Sequence, residues 1–269
     1  MKLRFWKLSG AGNDFVLLRE DDLPARGDAA LARRLCDRRE GVGADGLLIV
    51  GKADKILRWR YHNADGSAAF CGNGARCAAW WMFLNGWTKN RTAFNIQSPE
   101  GPMSARVRPG KNPRVSLSMP APKDLRLGLK LAVQGRKLTV HFVDTGVPHA
   151  VVLVDDLERF PVPEVGRALR RHPAFAPAGA NADFVQAADG RLSVRTYERG
   201  VEAETMACGT GAVASAVSAA ALGKVESPVS VFTRSGEHLK VSFSRSGAEF
   251  SAVRLEGPAR LVFQGEVCS

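Results

Sequence analysis

Negative charge is scarce in this 269-residue chain: 27 Asp and Glu stand against 38 Lys and Arg, for a formal net charge of +11. Such a surplus raises the question of a polyanionic partner. No RNP, zinc-finger or helix-turn-helix pattern accompanies it, so no nucleic-acid partner is expected. The cysteines are five (Cys36, Cys71, Cys77, Cys208, Cys268), an odd count with no close CxxC pair. That pattern supports neither a disulfide framework nor a structural zinc site. Five scattered histidines lack an HxxxH-type ligand spacing, so no metal is expected either. Residues 1–7 lack the apolar run of roughly 7 to 15 residues that a secretory leader carries, and a cytoplasmic location is expected. The uncharged run 206–223 holds mainly Ala, Gly, Ser and Thr with little Leu, Ile or Phe. It reads as a helix packed inside protein rather than one facing lipid, and no membrane partner is expected.

With 45% hydrophobic, 24% charged and 7% aromatic residues, neither a disordered nor a fibrous class fits. Most of the chain reads as short strands between turn residues: 47–50, 56–61, 92–97, 114–119, 138–143, 150–154, 191–197, 229–233, 238–243 and 250–255. Helical patterns are fewer, at 28–38, 71–84, 163–171 and 209–222; the second and fourth are stopped by Gly86 and Gly223. A weak repeat links those two. Cys71-Gly72-Asn73-Gly74-Ala75 and Cys208-Gly209-Thr210-Gly211-Ala212 share the pattern C-G-x-G-A, and each opens an Ala-containing apolar helix. Met119-Pro120-Ala121-Pro122-Lys123 falls between them and suits neither a central strand nor a helix. The chain therefore divides near residue 120 into two similar halves.

A cysteine just ahead of a helix meets unpaired backbone N–H groups and the positive end of the macrodipole, so its thiolate becomes more accessible. Glycines after it leave the amides uncovered for a ligand carboxylate or phosphate. One such site suggests a nucleophile or an anion cradle. A matched pair suggests a cleft with a thiol on either wall. Inverting a stereocentre by proton transfer has that requirement: a base on one face of the carbon, an acid on the other. Two further clusters precede the cysteines, Asn63-Ala64-Asp65-Gly66-Ser67 and Tyr197-Glu198-Arg199-Gly200. The second offers an acceptor for an ammonium and a fork for a carboxylate. The Gly10-Ala11-Gly12 segment is too incomplete for a dinucleotide fingerprint.

Taken together, the motifs resemble the diaminopimelate epimerase family. They are Gly10-Ala11-Gly12-Asn13-Asp14-Phe15, Gly41-Val42-Gly43-Ala44-Asp45-Gly46, residues 63–67 running to Phe70-Cys71-Gly72-Asn73-Gly74-Ala75-Arg76-Cys77, Thr145-Gly146-Val147-Pro148-His149, Gly179-Ala180-Asn181 with Phe184-Val185, and residues 197–200 through Glu204-Thr205 to Ala207-Cys208-Gly209-Thr210-Gly211. The resemblance implies an α/β (α+β) fold of two similar domains. Each would be a strand-rich, barrel-like sheet around a central helix, with the active site in the interdomain cleft. It places one domain at 1–119 with a returning strand at 260–269, and the other at 120–259. It implies a cofactor-independent isomerase that interconverts LL- and meso-diaminopimelate, on the route to lysine and peptidoglycan precursors, and a homodimer. Carried over residue by residue, Cys71 and Cys208 are the two bases, with His149 and Glu198 supporting proton transfer. Gly72, Asn73, Gly209 and Thr210 hold the reacting α-carboxylate; Asn13, Asn63, Asn181, Glu198 and Arg199 bind the rest of the substrate, Arg199 reading the distal carboxylate. Gly46 and Val147 stand where some members carry Gln and Asn. Asp183 replaces a commoner Asn and is left off the site, because its charge beside a substrate carboxylate would need a partner. A proline racemase-like enzyme is the neighbouring alternative; its substrate has one carboxylate, which makes Arg199 the discriminating residue.

Overall fold

The computed structural model describes residues 2–24 and 27–268. The chain divides into two compact units, Met1–Leu117 with Gly257–Ser269, and Ser118–Glu256. Each is described on its own.

In the first unit, β1 (Lys2–Gly10) and β2 (Asn13–Arg19) form a hairpin, followed by helix α1 (Asp28–Cys36), β3 (Gly46–Ala53), β4 (Ile56–Asn63) and the short β5 (Ala68–Ala69). Helix α2 (Gly72–Leu84), β6 (Ala93–Ser98), β7 (Gly101–Arg108) and β8 (Arg114–Ser118) complete the run. β2 and β3 pair in parallel, as do β4 and β6; the other neighbours are antiparallel. Helix α2 packs against β1, β2, β3, β4 and β7 at once, so the sheet is wrapped around it. Its sequence explains that position. From Asn73 to Met82 every residue is buried, and Trp81 meets Trp6 and Trp87 edge-on at centroid distances of 4.8 and 5.0 Å. A helix that is apolar all round has to be enclosed, and each large side chain so buried contributes about 1.5–3 kcal/mol.

The second unit repeats the plan. β9 (Lys123–Val133), β10 (Arg136–Asp144) and β11 (Pro148–Leu153) lead to helix α3 (Val162–Arg170), β12 (Asn181–Ala188), β13 (Arg191–Glu198) and the short β14 (Ala203–Thr205). Helix α4 (Gly209–Ala221), β15 (Val229–Phe232), β16 (His238–Ser246) and β17 (Glu249–Pro258) follow. β11 and β12 are parallel, as are β13 and β15. α4 is packed by β10, β11, β12, β13, β15 and β16. The last strand, β18 (Arg260–Cys268), pairs antiparallel with β1, from Lys2 opposite Cys268 to Ser9 opposite Arg260. The element order β1-β2-α1-β3-β4-β5-α2-β6-β7-β8 thus recurs as β10-β11-α3-β12-β13-β14-α4-β15-β16-β17, and both α2 and α4 are 13 residues long.

The uncharged run 206–223 is mostly this buried helix α4, and no helix among the described residues is long and apolar enough to cross a membrane. Helix α1 ends at Cys36, two residues short of the expected 38, because Arg38 turns away to bind Asp14 and Asp45.

Candidate functional site

Each long buried helix begins on a cysteine. Cys71 is the N-cap of α2 with φ −133° and ψ 109°, and Cys208 is the N-cap of α4 with φ −116° and ψ 116°. In both, sulfur accepts the N–H of the third helical residue: Gly74 N to Cys71 Sγ at 3.3 Å, Gly211 N to Cys208 Sγ at 3.4 Å. The C-G-x-G-A repeat is therefore a capping motif with sulfur where Ser or Asp is the usual acceptor. Its second glycine is steric. A Cβ at Gly74 would come within 2.9 Å of Leu48 Cδ2, and one at Gly211 would run into Asp183 Oδ1. Its first glycine is different at Gly72, where a Cβ would meet nothing within 4 Å. There the start of the helix is not crowded on the side a Cβ would take, and the first amides of a helix are the ones that suit an anion.

Around Cys71 the chain assembles a chain of amides and charges. Gly10, where a Cβ would approach Cys77 Sγ to 2.9 Å, lets the β1–β2 turn pass close to α2. The turn delivers Asn13, whose Oδ1 accepts from Asn73 Nδ2 at 2.7 Å. The fully buried Arg76 donates to Asn73 Oδ1 at 2.5 Å, and Asn13 Nδ2 donates to Asp45 Oδ2 at 3.0 Å. Asp45 and Asp14 are both held by Arg38, and Asp14 also takes Lys7 Nζ at 2.7 Å. Burial raises the Asp14 carboxyl, but the hydrogen bonds from Arg38 and Lys7 outweigh it and bring the group down to about 2. Asn63 stands apart from this network: its Nδ2 donates to Ser67 Oγ at 2.9 Å within its own turn.

The second unit builds the equivalent place from different groups. Register puts His149 beside Asn181 on the parallel β11–β12 pair, and Glu198 ends the neighbouring β13. His149 and Asp183 are both fully buried, with Nδ1 2.6 Å from Oδ2. Asn181 Oδ1 accepts the Arg199 backbone N–H at 2.7 Å, and its Nδ2 lies 3.4 Å from His149 Nε2. The Arg199 side chain donates to Ala178 O at 3.3 Å. Thr210 Oγ1 lies 3.4 Å from Cys208 Sγ, and Thr145 Oγ1 donates to the Thr210 carbonyl at 3.2 Å.

Electrostatics corrects one expectation at Cys208. A helix N-terminus favours thiolate, yet burial first, then the charges of Glu198 and Asp183, push this thiol well up from its ordinary value. The Thr210 hydroxyl and the Gly211 amide pull the other way and lose. Burial also raises Glu198, against Thr205 and His149, with Asp183 adding to the rise. Both shifts favour the uncharged form of the group, the thiol at Cys208 and the carboxylic acid at Glu198.

The sequence-derived residues Cys71, Gly72, Asn73 and Asn13 are thus brought together in the first unit, and Cys208, Gly209, Thr210, Glu198, His149, Asn181 and Arg199 in the second. Sequence reasoning missed Asp45, Arg38, Arg76, Thr196 and Asp183. Arg76 and Asp45 were visible inside motifs, and the unexplained charge of Asp183 was itself a signal. Among the described residues no group of three or more His, Cys, Asp or Glu is placed to hold a metal ion.

Solved structures with this architecture include a phenazine biosynthesis protein of the PhzF family from Bacillus anthracis (TM-score 0.77, 13% identity, all of both chains). A hydroxyproline epimerase from Agrobacterium vitis is also similar (TM-score 0.70, 16% identity, 99% of this chain and 92% of that one). At such identities the likeness is one of fold: two similar strand-rich domains. A family model described as diaminopimelate epimerase matches residues 5–123 and 141–262. Proteins named diaminopimelate epimerase from Aquifex aeolicus and Chlorobaculum tepidum are each 40% identical, covering 98% and 97% of this chain and 98% and 99% of theirs. The chain belongs to the diaminopimelate epimerase family, which makes it an isomerase.

Proposed function

We propose that the protein interconverts LL- and meso-diaminopimelate by proton transfer at one α-carbon, with Cys71 and Cys208 as the two bases. The observation that carries this reading is the pair of N-cap cysteines, built alike at equivalent places in the two halves. The α-carboxylate is held by the first amides of the helices, at Gly72, Asn73, Gly209 and Thr210, where charge developing as the proton leaves is stabilised by fixed N–H dipoles. One cysteine abstracts the α-proton from one face and the other donates a proton to the opposite face; in the reverse direction the roles exchange. His149 and Glu198 support the transfer at Cys208. Asn13, Asn63, Asn181 and Glu198 hold the remaining polar groups, and Arg199 binds the distal carboxylate. The reaction draws on no cofactor or metal. In this reading the enzyme works in the cytoplasm, supplies lysine and peptidoglycan precursors, and has no nucleic-acid or membrane partner.

The test is proton NMR of LL-diaminopimelate with the enzyme in D₂O. Conversion to the meso isomer with deuterium entering at one α-position is expected, unchanged by chelator. Cys71→Ala and Cys208→Ala are each expected to lose at least about 1000-fold, the scale of a lost general acid or base. Exchange of proline but not of diaminopimelate would move the protein to the proline racemase-like reading.

We also propose a homodimer. Leu261, Val262 and Phe263 are consecutive on β18 and 39%, 58% and 48% exposed. Neighbouring strand residues point to opposite faces, so apolar surface lies open on both sides of the strand. Sedimentation should show a dimer that Val262→Asp with Phe263→Asp converts to monomer.

A further inference from the structure

Asp183 carries a charge that no role yet described accounts for. It lies in β12 with no exposed surface. Thr196 Oγ1 donates to its Oδ1 at 2.7 Å, and His149 Nδ1 lies 2.6 Å from its Oδ2. On the far side a Cβ at Gly211 would collide with Oδ1, so the carboxylate sits against the first turn of α4, where the macrodipole favours an anion.

The position of the proton on His149 follows from its other neighbour. Asn181 spends its carbonyl oxygen on the Arg199 backbone N–H, so its amide nitrogen is the atom turned toward His149 Nε2. An amide nitrogen only donates. Nε2 must therefore present its lone pair, the proton must lie on Nδ1, and Asp183 must accept it. Donation runs from the Arg199 backbone through Asn181 and His149 to Asp183, which also accepts from Thr196 on its other side, so the hydrogen bonds across β13, β12 and β11 converge on the carboxylate.

We propose that Asp183 is a positioning residue for epimerisation: it accepts the Nδ1–H of His149, fixes the imidazole in the Nδ1–H tautomer, and through Asn181 holds the turn that carries Arg199. The proposal rests on the function given above and deepens it. Without the carboxylate the imidazole is free to carry its proton on Nε2. That would set two donors against each other at Asn181 and release the Arg199 turn. A second effect is electrostatic. Among the described residues, the charged groups that act on Cys208 are Glu198 from the end of β13 and Asp183 from β12, and His149 from β11 acts on both of these. Asp183 adds a fixed negative charge to that wall.

The experiment needs the full chain labelled with ¹⁵N-histidine, with His149 signals assigned by their loss in His149→Gln. In the wild-type protein at neutral pH the expected pattern is a protonated Nδ1 and an unprotonated Nε2; a protonated Nε2 would overturn the proposal without any variant having to fold. In Asp183→Asn, kcat for diaminopimelate is expected to fall about 10- to 100-fold, as when a partner that orients a functional histidine is removed. KM should rise as well, because the turn that carries Arg199 is loosened. The pH for alkylation of Cys208 should move down as the charge is removed. A variant that keeps the wild-type kcat, tautomer and Cys208 profile would equally refute it. A wild-type enzyme that exchanges no diaminopimelate α-proton defeats the proposed substrate, while the tautomer measurement still decides the placement of Asp183.

Discussion

The five thiols of the chain meet different environments. Burial pushes the Cys36 and Cys77 thiols up to about 12, so both are inert at physiological pH and serve as apolar packing. Cys268 is exposed, Cys71 half-buried and Cys208 buried. Under limiting iodoacetamide at pH 8, mass spectrometry of the native protein should find Cys268 and Cys71 modified first, Cys208 late, and Cys36 and Cys77 only after unfolding. The Cys-Gly-x-Gly blocks announced the two N-cap cysteines from sequence, because the signal is local and the helix that follows is strongly apolar. Asp183 could not be read the same way. Its partner His149 lies 34 residues earlier and its other partner, Thr196, 13 residues later, and only the pairing of β11, β12 and β13 brings them together.

At the scale of elements, two glycines, one from each copy of the C-G-x-G-A motif, should respond in opposite ways. Gly72 opens α2 with free space around its Cα. Gly72→Ala should leave thermal stability level or higher by about 0.5–1 kcal/mol, the usual gain of Ala over Gly in a helix. It should still lower kcat/KM by crowding the anion-binding amide. Gly211→Ala forces a methyl group onto Asp183 and should cost about 1–3 kcal/mol, the range for overpacking a filled core. Calorimetry and kinetics on the same two variants separate the effects. Helices α2 and α4 were legible as Ala-containing apolar runs stopped by glycine, and most strands by their short apolar runs between turn residues. Strand β9 was not: only Val133 in it is buried, Gly128 interrupts it, and Asp124 adopts a φ of 51°. Sequence alternation marks a strand only where one face is covered, and β9 is largely uncovered. β7 was hidden by Pro102 and its polar residues, and β12 by a fully buried start, Asn181 to Val185, that shows no alternation.

For the whole molecule, acid stability should follow the carboxylates held by arginine and lysine. The Asp14 carboxyl sits at about 2, below its ordinary 3.8. A group lowered on folding adds stability that is present above its unfolded value and lost as pH falls through the folded one. Denaturant midpoints should therefore hold from neutrality down to about pH 4 and decline between about 4 and 2. Asp14→Asn should flatten that decline and lower the plateau. In alkali the buried thiols act with the opposite sign: Cys36 and Cys77, raised on folding, stabilise below their unfolded value near 9 and lose that contribution as pH climbs toward about 12.

The pairing of β18 with β1 sets an order of events during synthesis. The first unit needs residues 260–268 to cover β1, so it stays incomplete on the ribosome until those residues have emerged, whereas Ser118–Glu256 is continuous and precedes them. The first unit is begun before the second and completed after it, with one edge of β1 unpaired until β18 follows. A circular permutant that joins the old ends and opens elsewhere would place β18 immediately ahead of β1, turning the longest-range pairing in the protein into a local hairpin and shortening that wait.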